Sequence, residues 1–143
     1  MKFIRLSHSA KVPTYGTNGA AGADLYMDSA VDVSILPGKT VVIHTGIAVA
    51  IPLGYVGLVF ARSGLATKRG LAPANKVGVI DADYRGELMI SLYNQSGETQ
   101  TLSPFERVAQ LVIVPCLRVD YEETDTLEET ERGDGGFGST GRL

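Results

Sequence analysis

Cysteine and long hydrophobic runs are nearly absent from this sequence. Cys116 is the only cysteine among 143 residues, so an intrachain disulfide is impossible and a disulfide-rich scaffold is excluded. It lies in the apolar run 111–117, where we expect a buried thiol. The most apolar stretch, 47–61, is interrupted by one proline and two glycines and is too short to span a bilayer. The first residues carry no signal-peptide pattern either, so we expect a cytosolic protein without a membrane partner.

Helical periodicity is missing as well. Only residues 63–70 suit a helical turn or two, with Ser63 as the expected N-cap. Glycine is abundant instead, at 17 of 143 residues, which favours many tight turns between short strands. The segment 87–95 alternates in the period-two pattern of a half-buried strand. The predicted strands cover residues 3–7, 23–27, 31–35, 40–51, 55–61, 87–95, 99–102 and 107–119. Since strands and helices do not alternate, we expect an all-β, single-domain antiparallel jelly roll or barrel.

Charge divides the chain into two parts. Residues 1–117 carry ten basic and eight acidic side chains, whereas residues 118–143 carry three basic and eight acidic ones. We therefore expect a core over 1–117 and a mobile C-terminal arm over 118–143. A passive, solvated tail is the simpler interpretation, but the arm ends in RGDGGFGSTGRL, which looks suited to ordering around a partner. The net charge of −3 and the lack of a basic stripe argue against nucleic-acid binding.

Polar residues are concentrated in the turns between the predicted strands. Asp24 begins a strand, and Arg62-Ser63-Gly64 place a guanidinium and a hydroxyl beside a helix start, a combination that suits an anion. Residues 75–86 hold two carboxylates around a turn, and Gln110 interrupts an apolar strand. Without a Cys/His cluster for zinc, this set suggests magnesium-assisted chemistry on a phosphate compound.

Each of these features also has a plainer explanation. Asp24 can cap a turn, Ser63 can cap the helix, and Gln110 can satisfy a backbone group in its sheet. Asp81 and Asp83 can simply shape a hairpin. The G-x-G-x-x-G spelled by residues 133–138 is no dinucleotide fingerprint, because only five residues follow it and no helix can be built there.

Five segments in order give the sequence a specific resemblance. They are AGADLYM (21–27), ARSGLA (61–66), GVIDADYRGEL (78–88), ERVAQLVI (106–113) and RGDGGFGSTG (132–141). In kind, order and spacing they resemble the five motifs of the trimeric dUTPase (deoxyuridine 5′-triphosphate nucleotidohydrolase) family, over essentially the whole chain. The resemblance implies a distorted jelly-roll barrel of the β-clip type. It also implies a homotrimer with active sites at subunit interfaces and hydrolysis of dUTP to dUMP and pyrophosphate with Mg²⁺.

The resemblance also assigns roles to residues. Asp81 would activate the attacking water, and Asp24 would hold Mg²⁺ through water. The implied phosphate contacts are Arg62, Ser63, Gly64 and Gln110, joined by Arg132, Gly138, Ser139 and Thr140 of the arm.

Base and sugar recognition would fall mainly to the hairpin segment. Phe137 would stack on uracil, while Tyr84 would lie under the deoxyribose and leave no room for a 2′-hydroxyl. The implied base and sugar contacts are Asn75, Gly78, Val79, Asp81, Tyr84, Met89 and Phe137.

Two alternatives remain at this level. One is a dCTP deaminase, or a bifunctional deaminase–dUTPase, on the same fold, for which Glu87 is the only glutamate near the hairpin. The other is a non-enzymatic module that binds a nucleotide or a protein partner without turnover.

Overall fold

The computed structural model describes residues 1–137 and builds them mainly from short strands. In this part of the chain the only helix is α1 (Ser63–Arg69). The strands are β1 (Lys2–Arg5), β2 (Thr14–Tyr15), β3 (Ala23–Tyr26), β4 (Val33–Ile35), β5 (Thr40–Ile43), β6 (Ile47–Ala50), β7 (Tyr55–Phe60), β8 (Leu71–Pro73), β9 (Gly78–Ile80), β10 (Ile90–Asn94), β11 (Gln100–Leu102) and β12 (Arg107–Pro115). No helix within residues 1–137 has both the length and the apolar character needed to cross a membrane.

The paired strands run antiparallel and form four small sheets. The largest has the order β2-β3-β12-β7-β9, and a second has the order β5-β10-β8. Two further pairs, β1-β6 and β11-β4, complete the barrel-like wall. This arrangement confirms the predicted all-β, jelly-roll-like single domain.

The core follows from the alternation in the strands. Leu88, Ile90 and Leu92 are 1%, 3% and 0% exposed, as the period-two pattern predicts. Burying each such side chain stabilises the fold by about 1.5–3 kcal/mol. One apolar cluster therefore joins the sheets and holds the loops between them in place.

The predicted strand 40–51 is in fact two strands. Gly46 separates β5 from β6 with φ +64°, and a Cβ there would lie 2.7 Å from the Cβ of Ala10. Only glycine suits both this dihedral angle and this close approach. The chain consequently turns at residues 44–46 and starts a new pairing with β1.

Two local expectations were wrong. Arg62, not Ser63, is the N-cap of α1, and no side chain caps the helix. Cys116 is exposed, because β12 ends at Pro115 and the thiol lies beyond the sheet.

Strand β12 contains a bulge next to its pairing with β3. Arg107 pairs with Tyr26 and Ala109 with Leu25, so Val108 is an extra residue on this strand. Val108 and Ala109 are consequently both buried, although they are neighbours in sequence.

Candidate active site

A buried carboxylate lies at the centre of the first group of predicted site residues. The Asp24 side chain is only 12% exposed, and its two oxygens accept hydrogen bonds from two arginines. Arg62 Nε donates to Oδ1 at 2.8 Å, and Arg107 Nη1 donates to Oδ2 at 3.0 Å. Two guanidinium groups around one carboxylate leave one net positive charge, together with further N–H donors. The cluster therefore suits a polyanion.

Gln110 lies beside this carboxylate on the neighbouring strand. It pairs with Asp24 of β3 on one side and with Phe60 of β7 on the other. Its Nε2 donates to the backbone oxygen of Ala61 at 3.1 Å, so the plainer explanation accounts for one of its polar groups. A Cβ on Gly22 would lie 2.9 Å from Gln110 Oε1, so glycine at that position makes room for this side chain.

Ser63 and Gly64 are the first two residues of α1, next to Arg62, and both are exposed. The first N–H groups of a helix have no partner within the helix, which leaves them available to an anion. A Cβ on Gly64 would meet nothing within 4 Å, so packing within the chain does not require glycine here. A ligand that approaches the Gly64 backbone closely from outside the chain would require glycine at this position.

The residues expected to form a hairpin are the second group, and they lie in a segment (75–89) that is not a hairpin, because β9 pairs with β7 whereas β10 pairs with β5 and β8. Asn75, Gly78, Val79 and Met89 line one small pocket of about 130 Å³. Val79 and Met89 also line an adjoining pocket of about 150 Å³, together with Asp81 and Tyr84. The structure thus brings the predicted base- and sugar-binding residues of this segment together.

The carboxylates of Asp81 and Asp83 do not hold the turn that follows β9 in shape. Backbone groups close the turn, because the backbone N–H of Tyr84 donates to the backbone oxygen of Asp81 at 3.2 Å. Arg85 Nη1 adds hydrogen bonds to the backbone oxygens of Ala82 and Tyr84 at 2.7 and 2.8 Å. Within residues 1–137, nothing donates a hydrogen bond to either aspartate side chain, so both are available for chemistry.

The two groups lie far apart on one chain. The strand that precedes Asp81 pairs with Gly57 of β7, whereas the partner of Asp24 in β12 pairs with Phe60. At about 3.3 Å per residue and about 4.8 Å per strand, the separation of the Asp81 and Asp24 Cα atoms measured along the sheet is roughly 20 Å. The phosphates of a single nucleotide therefore cannot contact the Asp24 cluster and the Asp81 carboxylate of the same chain.

Comparison with known proteins identifies the family. The dUTPase family model matches residues 8–141. A deoxyuridine 5′-triphosphate nucleotidohydrolase from Desulfitobacterium hafniense is 48% identical over 97% of this chain and 93% of its own length. One from Acinetobacter baumannii is 45% identical over 96% of this chain and 93% of its own length. The chain belongs to the dUTPase family. This confirms the predicted family and the predicted enzyme class, a hydrolase of the dUTPase type.

Solved dUTPases share the fold along the whole chain. The dUTPase of Staphylococcus bacteriophage 80alpha, in a structure with dUPNHPP, superposes with a TM-score of 0.90 at 32% identity, covering 99% of this chain and 98% of that one. A dUTPase variant from phage phi11 of S. aureus has a TM-score of 0.79 at 30% identity, over 90% of this chain and 98% of that one. That phage structure is described as revealing the coordination of a structural Mg(II) ion.

The surroundings of Asp24 are compatible with contact to a hydrated magnesium ion. Residues 1–137 contain no group of three His, Cys, Asp or Glu side chains that would hold a metal. Asp24 is a single carboxylate, and each of its oxygens already accepts a hydrogen bond from arginine. Mg²⁺ prefers six oxygens and keeps several waters. The donor set therefore fits contact with such an ion through water.

The start of the arm, with Arg118, Val119 and Tyr121, lines a cavity of about 680 Å³ that also contains Asp81 and Asp83, whereas Arg132 and Phe137 do not line it. Gly135 N–H donates to the Arg132 oxygen in a turn, and the Arg132 side chain has no ion-pair partner among residues 1–137. Phe137 is fully exposed and therefore packs against neither group. The predicted phosphate contacts Gly138, Ser139 and Thr140 lie outside the described residues.

Arg107 was missed in the assignment from sequence, although it lies within the fourth motif. Its spacing of three residues from Gln110 would put the two on opposite faces of a regular strand. Only the bulge brings both to the Asp24 side, and nothing in the sequence marks the bulge.

Proposed function

We propose that this dUTPase hydrolyses dUTP to dUMP and pyrophosphate with Mg²⁺, by in-line attack of water on the α-phosphorus. The observation that carries the proposal is the likeness along the whole chain to a phage dUTPase whose structure is described with the dUTP analogue dUPNHPP. In the cell this reaction would keep uracil out of DNA and supply dUMP for thymidylate synthesis. We place it in the cytosol.

Asp81 is the proposed general base. Its carboxylate is exposed beside the nucleoside pockets and accepts no hydrogen bond from residues 1–137. It takes a proton from the attacking water as the new bond to the α-phosphorus forms. The bond from the α-phosphorus to the bridging oxygen breaks, and pyrophosphate leaves with that electron pair. Asp83 lies two residues further along the turn and has no assigned role.

The Asp24 cluster is the proposed triphosphate site. Arg62, the first residues of α1 and Gln110 supply donors to phosphate oxygens, and Asp24 orients Mg²⁺ through water. When bound, the ion neutralises phosphate charge and fixes the geometry of the triphosphate for in-line displacement. Arg132 and the last motif, with Gly138, Ser139 and Thr140, would add contacts from the arm.

The 75–89 segment is the proposed nucleoside site. The polar edge of uracil pairs with Asn75 and with backbone groups near Gly78, with Val79 and Met89 at its sides. Tyr84 supports the deoxyribose, and Phe137 of the arm stacks on the base. A rigid wall that excludes a 2′-hydroxyl discriminates more strongly than the mere loss of a contact.

The distance between the two groups supports a site shared by subunits. Because Asp81 and Asp24 are roughly 20 Å apart along the sheet of one chain, one copy supplies the nucleoside site and a neighbour supplies the triphosphate site. The homotrimer implied by the resemblance provides such a neighbour, with the arm of residues 118–143 closing the site.

Subunit sharing has a direct test. Asp81→Asn and Arg62→Gln each disable one half of the site, and both chains are co-expressed with different tags and purified through both. In every mixed trimer one site combines two intact halves, so we expect about one third of wild-type kcat, although each variant alone is nearly inactive. Mixed trimers without activity would refute sharing, and activity in a monomer would refute the trimer.

Product analysis tests the reaction itself. Incubation with dUTP, dTTP, UTP and dCTP should give dUMP and pyrophosphate from dUTP only. Ammonia release from dCTP would favour the deaminase, and binding of dUTP without turnover would favour the non-enzymatic module. The structure weighs against the deaminase, since the Glu87 carboxylate already accepts three hydrogen bonds from His44, Thr45 and Gly46.

A further inference from the structure

The turn between β5 and β6 holds the carboxylate of Glu87. Oε1 accepts the backbone N–H groups of Thr45 at 3.0 Å and Gly46 at 2.7 Å, and Oε2 lies 2.8 Å from His44 Nδ1. An ionised carboxylate can only accept hydrogen bonds, so Nδ1 of the imidazole carries the proton and donates. Three donors from one turn thus bind the Glu87 carboxylate at the end of the 75–89 segment.

Glu87 is also connected to Tyr84. The Tyr84 hydroxyl donates to the backbone oxygen of Glu87 at 3.0 Å. The ring lies so close over Gly86 that a Cβ there would be 2.9 Å from Tyr84 Cε2. Glu87 and Tyr84 both line the pocket of about 150 Å³ that also contains Asp81. The position of Glu87 therefore sets the position of the Tyr84 ring.

The connection continues into the core behind this pocket. Leu88 N–H donates to the Ile47 oxygen at 2.8 Å, and the buried Thr45 hydroxyl donates to the Leu88 oxygen at 2.7 Å. These bonds hold Leu88 on the core side, so the domain stays folded when a solvent-facing side chain changes. The His44 and Glu87 side chains are 61% and 20% exposed, so substituting them removes the carboxylate contact without opening the core.

We propose that Glu87, held by His44, is a positioning residue that fixes Tyr84 and thereby sets the discrimination between deoxyribose and ribose nucleotides. The inference rests on the proposed function. A wall excludes a 2′-hydroxyl only if it cannot retreat, so freedom of the Tyr84 ring to move away from the sugar would admit the larger nucleotide.

The ionisation of Glu87 supports this role. Burial alone would raise the pKa of Glu87, but hydrogen bonds from His44, Gly46 and Thr45, with the charge of His44, together lower the pKa below its usual value. The carboxylate is therefore ionised at neutral pH, where its hydrogen bonds are stronger than those of a neutral group.

Four variants test the proposal through the ratio of kcat/KM for dUTP to kcat/KM for UTP. Glu87→Gln keeps the size but loses the charge, and we expect the ratio to fall about tenfold because kcat/KM for UTP rises relative to kcat/KM for dUTP, mainly through KM. His44→Ala should shift the ratio in the same direction, and His44→Asn should restore it because its amide N–H can replace Nδ1. Glu98→Gln makes the same charge change at an exposed carboxylate and should leave the ratio unchanged.

The ratio separates positioning from simple stability. Loss of folded protein lowers both rates equally and leaves the ratio unchanged, so an unchanged ratio in Glu87→Gln and His44→Ala overturns the inference. If Glu87→Gln fails to fold, His44→Ala decides alone. Calorimetric titration with the α,β-imido analogues of dUTP and UTP gives the same comparison without turnover. If the wild type binds the dUTP and UTP analogues equally well, the inference is overturned while the proposed function stands. If the wild type binds neither analogue, the proposed function is overturned as well.

Discussion

Replacing Gly64 with alanine should raise stability and lower activity together. Gly64 is the second residue of α1, has no positive φ, and its added Cβ would meet nothing within 4 Å. Glycine in a helix is about 0.5–1 kcal/mol less stable than alanine, so Gly64→Ala should raise Tm by about 2–4 °C. Packing thus gives no reason for the glycine.

The proposed phosphate site does give a reason. A methyl group on the backbone that approaches the triphosphate removes or displaces one of its donors, and losing such a donor lowers kcat by about 10²-fold. We expect a loss of that order in kcat/KM for dUTP, measured by pyrophosphate release. The control is Gly97→Ala, where the added Cβ also meets nothing within 4 Å and activity should be unchanged. A stabilised Gly64→Ala variant with full kcat/KM would refute the assignment of α1 as a phosphate site.

Three further predictions follow from the same contacts. Asp81→Asn should retain binding of the imido analogue while kcat falls at least ~10²-fold, whereas Asp83→Asn should remain active; the reverse pattern would exchange their roles. A chain ending at Glu131 should keep its Tm and lose most of its kcat/KM. In the full chain, the imido analogue with Mg²⁺ should slow proteolysis of the arm. Equal cleavage with and without the analogue would contradict the closing role of the arm. Because the pKa of Glu87 is lowered on folding, its stabilising effect is complete above about pH 4.5 and lost as pH falls through the folded pKa. The Tm difference between wild type and Glu87→Gln should shrink over that acidic range, and a constant difference would contradict it.

Patterned segments were predictable from the sequence. The alternation in β10 gave both the strand and its buried face, because side chains of a half-buried strand alternate by necessity. Strands β2, β8 and β9 have only two or three residues and hence no period to detect. The break at Gly46 was hidden inside a run of β-branched residues that favours one continuous strand.

The sequence names the members of the proposed site but not their arrangement. Motifs identify Asp24, Arg62 and Asp81, but only the pairing of β9 with β7 shows how far Asp81 lies from the other two. Residues such as Arg107 and His44 act through partners distant in sequence, and no local pattern reports such contacts.

The bulge at Val108 determines which side of the sheet each residue of the fourth motif faces. Arg107 before the bulge and Gln110 after it lie on the same side of the sheet as Asp24, although a regular strand would place residues three apart on opposite sides. The site therefore requires the three-residue spacing between Arg107 and Gln110 as much as it requires the two side chains. Deleting Val108 would turn Arg107 toward the core or shift Gln110 away from Asp24, while leaving every polar residue of the site in the sequence.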